Sequence, residues 1–183
     1  MGYRSLHACV AVLQRHGHLV RIDAEVSPHL EVAEIQRRVF AAGGPAMLFT
    51  RAKGCQFPLL GNLFGTQARV EFLFRDTLAA VRRLIELKLD PSQALRHPLR
   101  TLAASRHALH MLPKRVRSGP VLACQASLES LPAIQSWPLD GGGFITLPQV
   151  YTEHPERPGP KHSNLGMYRV QLNGNQYQPG AEV

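Results

Sequence analysis

At Arg117-Ser118-Gly119-Pro120 the sequence changes character, and a chain that does so is not one uniform layer. Before this point apolar residues recur at helical spacing between short strand-like runs. After it, brief apolar runs stand between glycines and prolines, as strands of a barrel or sandwich do. The expectation is an α+β protein: an N-terminal α/β domain over residues 1–118, then a strand-rich domain over 119–183.

The first part reads as alternating elements. Ser5 is placed to cap a helix in which Leu6, Cys9, Val10 and Leu13 share one face, with Gly17 as its stop. The run from Val20 to Val26 alternates, with Val20, Ile22, Ala24 and Val26 facing inward. Ser27-Pro28 reads as an N-cap with proline at the first helical position, opening a helix that carries Leu30, Ala33, Ile35 and Phe40 and stops at Gly43-Gly44-Pro45. Met47-Leu48-Phe49 and Pro58-Leu59-Leu60 are two strands joined through a turn at Lys53-Gly54. From Thr66 to Leu112 the pattern is helical, with Leu78, Val81 and Ile85 on one stripe and a break at Asp90-Pro91. His107 and His110 are spaced to share a metal, but no third ligand stands near them, so a surface pair on a basic helix is favoured.

Several function classes are excluded. No apolar run approaches the ~20 residues of a membrane span, and the N-terminus lacks the apolar core of a signal peptide, so a cytoplasmic protein is expected. Cys9, Cys55 and Cys124 are odd in number and widely spaced, which fits small buried thiols and not a disulfide frame or zinc site. The net charge of +8 raises the question of nucleic acid, but the basic residues are spread through helices, cluster only at Lys114-Arg115-Val116-Arg117 and lack interleaved aromatics. A solvated surface is the favoured reading.

The second part holds the chemistry. Val121 to Ala126, Phe144 to Val150 and Leu165 to Leu172 read as strands, Gly141-Gly142-Gly143 as a tight turn, and residues 152–163 as an exposed loop. In the run Asn164-Leu165-Gly166-Met167-Tyr168-Arg169, Asn164 offers a neutral oxygen suited to a hard metal ion and Arg169 a planar fork suited to a carboxylate or phosphate; pattern alone favours the plainer alternative, a half-buried strand with Asn164 at its mouth and Arg169 reaching to water. Strict alternation points these two side chains to opposite faces. A shared site therefore needs a break in the strand, and Gly166 is the residue expected to permit it.

Four stretches in order carry a family resemblance: Ala42-Gly43-Gly44-Pro45-Ala46-Met47-Leu48-Phe49, then Leu60-Gly61-Asn62-Leu63-Phe64-Gly65-Thr66, then Leu131-Pro132-Ala133-Ile134 through Trp137-Pro138 to Phe144-Ile145-Thr146, and the run from Asn164 to Arg169. Together they resemble the N-terminal part of the UbiD decarboxylases. The resemblance implies an N-terminal α/β domain followed by the first strands of a flavin-binding split β-barrel. It also implies prenylated FMN, a divalent ion such as Mn²⁺ and a monovalent K⁺, used to remove CO₂ from an aromatic or α,β-unsaturated carboxylic acid. By the same resemblance Asn164 ligates the metal, Thr146, Met167, Tyr168 and Arg169 bind the flavin, and Arg169 is catalytic, facing the substrate carboxylate.

A 4-hydroxy-3-polyprenylbenzoate of quinone biosynthesis is the expected substrate, with room for peripheral membrane contact through its polyprenyl tail. The family also implies a homo-oligomer. Its further metal ligands, acidic catalytic residues and C-terminal domain lie beyond the matched stretch, so these 183 residues alone are expected not to turn over. The rival readings are a non-catalytic remnant or assembly module and, less favoured, a nucleic-acid-binding protein.

Overall fold

The computed structural model describes residues 3–92, 96, 116–119 and 122–172. Helix α1 (Leu6–Arg15) starts where expected: the Ser5 hydroxyl accepts from the Ala8 N–H at 3.1 Å, and Cys9 and Leu13 form its buried face. Strand β1 (Leu19–Val26) runs parallel to β2 (Ala46–Ala52), which pairs antiparallel with β3 (Leu59–Gly61), in the order β1-β2-β3. Parallel neighbours need a crossover, and α2 (Glu31–Ala41) lies in the connection between β1 and β2.

Helices flank this sheet through two apolar clusters. Val32 of α2, with Ile35 and Val39 at its edge, packs with Val26, Met47, Phe49, Ala52 and Leu59. Cys9 and Leu13 of α1 and Leu73 of α3 (Gln67–Leu73) pack with Leu19 and Ala46. The alternation along β2 sends Met47 and Phe49 to the first cluster and Ala46 and Leu48 to the second. Phe49 and Leu13 are fully covered, worth about 1.5–3 kcal/mol each.

Three expectations for this part need correction. Along β1 Leu19 is buried and Val20 exposed, because the register shifts between Ile22 and Glu25 and breaks the simple alternation. Ser27 does not cap α2. The helix begins at Glu31 after Leu30 at φ +63°, because residues 28–30 are drawn into extended contact with Gln135. The inward stripe of α2 is accordingly Val32, Ile35 and Val39, and Phe40 is exposed. In α4 (Leu78–Leu89) no residue is buried, so the predicted stripe of Val81 and Ile85 faces outward. The break at Asp90 stands; His107 and His110 lie outside the described residues.

The stretches around Gly44 and Asn62 meet in a polar knot that the sequence did not disclose. Arg69 is 2 % exposed, yet its guanidinium donates to three backbone carbonyls, those of Leu63 (3.0 Å), Gly44 (3.0 Å) and Asn62 (2.7 Å). Burial draws its pKa below the ordinary value. Asn62, at φ +53°, donates from its side chain to the Gly44 and Pro45 carbonyls and from its backbone to Gln36. A Cβ on Gly65 would run into the Asn62 amide oxygen, so the knot requires glycine there.

The strand-rich part begins with a correction. Among the described residues 122–126 there is no strand; Leu122 sits in a turn against Gly119 and is largely exposed. A strand needs a partner, and none pairs here. The exposed Cys124 likewise departs from the expectation of buried thiols, whereas all three cysteines are free as expected. Residues 132–135 then tie the two parts together. Ile134 packs against the Phe49 cluster, the Gln135 carbonyl accepts from Leu30 and its N–H donates to the Pro28 carbonyl.

From there the chain forms β4 (Gly143–Ile145), β5 (Gln149–Glu153), β6 (Ser163–Met167) and β7 (Val170–Leu172). β5 pairs with β6 and β4 with β7, both antiparallel. The Phe144 N–H donates to the Ile134 carbonyl at 2.8 Å, so β4 is fastened to the segment rooted in the first core. The Gly141-Gly142-Gly143 turn is as expected: Gly142 has φ +136°, and a Cβ on Gly143 would meet Ala133 at 2.7 Å.

Candidate functional site

The predicted long strands Phe144–Val150 and Leu165–Leu172 are each interrupted, and the interruptions lie side by side. Between β4 and β5 stand three residues, 146–148; between β6 and β7 stand two, Tyr168 and Arg169. Three opposite two is a bulge, and Leu147 absorbs it at φ +59°, with Pro148 unable to donate to a ladder. The Tyr168 N–H crosses to the Pro148 carbonyl at 3.3 Å. The strand therefore breaks as a shared site requires, but at Tyr168 and Arg169; Gly166 remains in register opposite Val150.

Gly166 serves a different purpose. A Cβ there would stand 2.5 Å from Tyr168 Cε2 and 2.7 Å from its hydroxyl, so the absence of a side chain lets the tyrosine ring lie back over β6. The ring reaches Asn164, whose Nδ2 donates to the Tyr168 hydroxyl at 3.2 Å. Asn164 is exposed and its NH₂ group is so tethered, which leaves Oδ1 as the acceptor of the amide, the atom type that suits a hard ion. Among the described residues no group of three or more His, Cys, Asp or Glu could hold a metal, so Asn164 would be one member of a wider ligand set.

The predicted flavin contacts cluster at the bulge. Thr146 follows β4 directly and is exposed; Met167 ends β6 opposite Gln149; Tyr168 and Arg169 form the crossing itself. Met167 and Tyr168 are 62 % and 52 % exposed, leaving apolar and aromatic surface open at one junction. The geometry brings these four residues to adjoining turns.

Arg169 is held by residues that sequence reasoning passed over. Its guanidinium lies 4.2 Å from the Phe144 ring centroid, and its Nη1 donates to Asp140 Oδ1 at 3.4 Å. The other oxygen of Asp140 accepts from the Trp137 N–H at 3.1 Å. The signal was Trp137-Pro138-Leu139-Asp140-Gly141, a turn in which an aspartate folds back on its own backbone.

Two family profiles match in order. The first, the 3-octaprenyl-4-hydroxybenzoate carboxy-lyase N-terminal domain, covers residues 10–88; the second, the Rift-related domain of the same carboxy-lyase, covers 114–180. The chain belongs to the UbiD family, and it fits the N-terminal portion of that fold. An uncharacterized protein of Chlamydia trachomatis is 44% identical over 173 residues, 91% of this chain and 29% of the relative. A Chlamydia pneumoniae protein named as a subunit of 4-hydroxybenzoate decarboxylase is 41% identical over 167 residues, 88% of this chain and 28% of its own length.

The UbiD-class enzyme HmfF from Pelotomaculum thermopropionicum, solved in complex with FMN, superposes with a TM-score of 0.62 at 26% identity, covering 92% of this chain and 34% of that one. An evolved dimeric form of HmfF, in complex with prFMN, gives 0.61 at 25% identity, covering 94% and 36%. The chain spans under a third of the length of the two Chlamydia relatives. Among the described residues no helix is long and apolar enough to cross a membrane.

Proposed function

We propose that this chain is the N-terminal portion of a prenylated-FMN-dependent decarboxylase of aromatic or α,β-unsaturated carboxylic acids, with a 4-hydroxy-3-polyprenylbenzoate of quinone biosynthesis as substrate. The carrying observation is the bulged junction, which sets Thr146, Met167, Tyr168 and Arg169 on adjoining turns at one end of the β5–β6 hairpin that carries the tethered Asn164 amide. The name of the Chlamydia pneumoniae relative and the flavin complexes of HmfF support the reaction class and the cofactor.

In this reading residues 1–118 form the scaffold and 119–183 open the split barrel. Asn164 Oδ1 would be one ligand of a bound Mn²⁺, and K⁺ would be held by other groups. Thr146, Met167 and Tyr168 line the flavin. The bound prenylated flavin supplies the electron sink for loss of CO₂. Arg169 binds the substrate carboxylate through its fork and orients it. The protein is a cytoplasmic homo-oligomer that meets membranes only peripherally, through a polyprenyl substrate.

The test is purification of the chain with reconstituted prenylated FMN and Mn²⁺. Retained flavin is expected, with at least tenfold weaker retention in Asn164→Ala, and no CO₂ release from the chain alone. A folded chain that retains no flavin overturns the reading in favour of an assembly module. That second reading has its own support: among the described residues β4–β7 form two two-stranded sheets, extended only by the bridge from Phe144 to Ile134, a surface suited to pairing with further strands.

A further inference from the structure

The Trp137–Phe144 stretch has no part in the proposed cofactor contacts, yet it makes both side-chain contacts that fix Arg169. We infer that Asp140 and Phe144 are positioning residues that present the Nε and Nη2 edge of Arg169 to the carboxylate of a substrate acid. The inference rests on the decarboxylase reading above and deepens it.

Asp140 is anchored on its own account. Its side chain is 10 % exposed, against 57 % for Arg169, so the aspartate is the fixed partner and the arginine the presented one. One carboxylate oxygen is held by the Trp137 N–H, and the residue's backbone carbonyl accepts from Gln135 Nε2 at 3.4 Å. Gln135 is in turn bonded to Pro28 and Leu30, so the anchor reaches back to the approach to α2. Phe144 is similarly rooted, through the bond from its N–H to Ile134. The ring and the carboxylate therefore hold the guanidinium at two points, its central carbon over Phe144 and its Nη1 on Asp140.

The contact with Asp140 uses Nη1 and leaves Nε and Nη2 without a hydrogen-bond partner among the described residues. Those two nitrogens form the side edge of the fork, and the chain uses that edge elsewhere for a carboxylate. Arg37 gives Nε to Glu34 Oε2 and Nη2 to Oε1, both at 2.8 Å. Arg169 therefore keeps free the edge that matches a monocarboxylate in two bonds. A freely rotating arginine would spend ordering entropy on each binding event, and the Asp140 and Phe144 contacts remove part of that cost in advance.

The test follows the Arg169 Nε–H resonance by ¹⁵N NMR in the full chain, with benzoate as probe and benzamide as the neutral control. Benzoate is expected to shift this resonance and benzamide to leave it in place. Asp140→Asn is expected to weaken benzoate binding at least fivefold with the dispersion of the remaining amides preserved, Asp140→Glu to restore part of it, and Phe144→Leu to weaken it about threefold. Phe144→Leu keeps the inference open to refutation if Asp140→Asn does not fold. Benzoate that fails to shift Arg169, or binds Asp140→Asn and Phe144→Leu as it binds the unaltered chain, overturns the inference. Flavin retention alongside that failure leaves the decarboxylase reading standing, and a benzoate response in a chain that retains no flavin overturns that reading alone.

Discussion

In the N-terminal sheet every strand sends at least one side chain into a closed apolar cluster, whereas none of β4–β7 has a buried residue. One half is held by packing, the other by ladders and by its attachment at residues 132–135. Every candidate functional residue lies in the half without a core. The candidate site is thus displayed on a surface that the other half props up, and among the described residues that surface has strand edges and exposed side chains that further chain would cover.

The largest effect should separate the halves directly. Phe49→Ala opens a cavity in the fully covered cluster and should lower unfolding stability by about 3–5 kcal/mol, whereas Leu165→Ala on the exposed face of β6 should change it by less than about 0.5 kcal/mol. Urea unfolding followed by circular dichroism measures both. Equal losses would erase the contrast. Arg69→Met should cost about 2–4 kcal/mol, because it leaves the carbonyls of Gly44, Asn62 and Leu63 without their donor in a buried site.

Ile134→Ala sharpens the comparison at the joint. The side chain is partly buried against the Phe49 cluster, so the loss should be roughly 1–2 kcal/mol. The same change should loosen β4 through the Phe144–Ile134 hydrogen bond and alter the emission of Trp137, the chain's one tryptophan. A drop in stability with unchanged Trp137 emission would mean that the first core does not support the site.

How much of this was legible follows the same division. Strand β2 and the cap at Ser5 were readable because local pattern and tertiary burial agree there. The start of α2 was not, because Ser27-Pro28 is locally a sound cap and only a contact with Gln135, more than a hundred residues away, overrides it. Among the candidate site residues, the chemistry of Asn164 and Arg169 could be read from residue type. Their supports could not: Asp140 and Phe144 come from another strand and the turn before it, and the bulge at Leu147 places a bulky residue at positive φ, which no local preference announces. Arg69 stayed hidden because one arginine in a short helix looks solvated until its three carbonyl partners converge.

That bulge gives a smaller prediction within the strand-rich half. Leu147→Gly should leave stability unchanged or raise it by up to about 1 kcal/mol, since glycine accepts φ +59° without strain; β-branched Leu147→Val should lower it by about 1–2 kcal/mol. Hydrogen exchange of the Tyr168 amide, which bonds to Pro148, reports the local effect. Equal exchange in both variants would show that the positive φ is not a feature of the folded hairpin.

The smallest effect belongs to the well-packed half and lies on its surface. Glu34 on α2 accepts from Arg37 Nε and Nη2 and from Arg38 Nε, and these bonds, the Arg37 pair foremost, hold its pKa down from 4.5 to about 2. A carboxylate with a depressed folded pKa stabilises the fold in full above its unfolded value and loses that contribution as pH falls through the folded one, so the window runs from about 4.5 down to about 2. The group is solvent-exposed, so salt screening shrinks the effect, and it is read best from the residue itself. Carboxyl ¹³C NMR should give a midpoint near 2 in the unaltered chain and one displaced toward 4.5 in Arg37→Ala, with added salt narrowing the gap. A midpoint already at 4.5 would mean that the Glu34–Arg37 fork does not persist in solution, and with it would go the in-chain precedent for side-edge capture of a carboxylate by arginine.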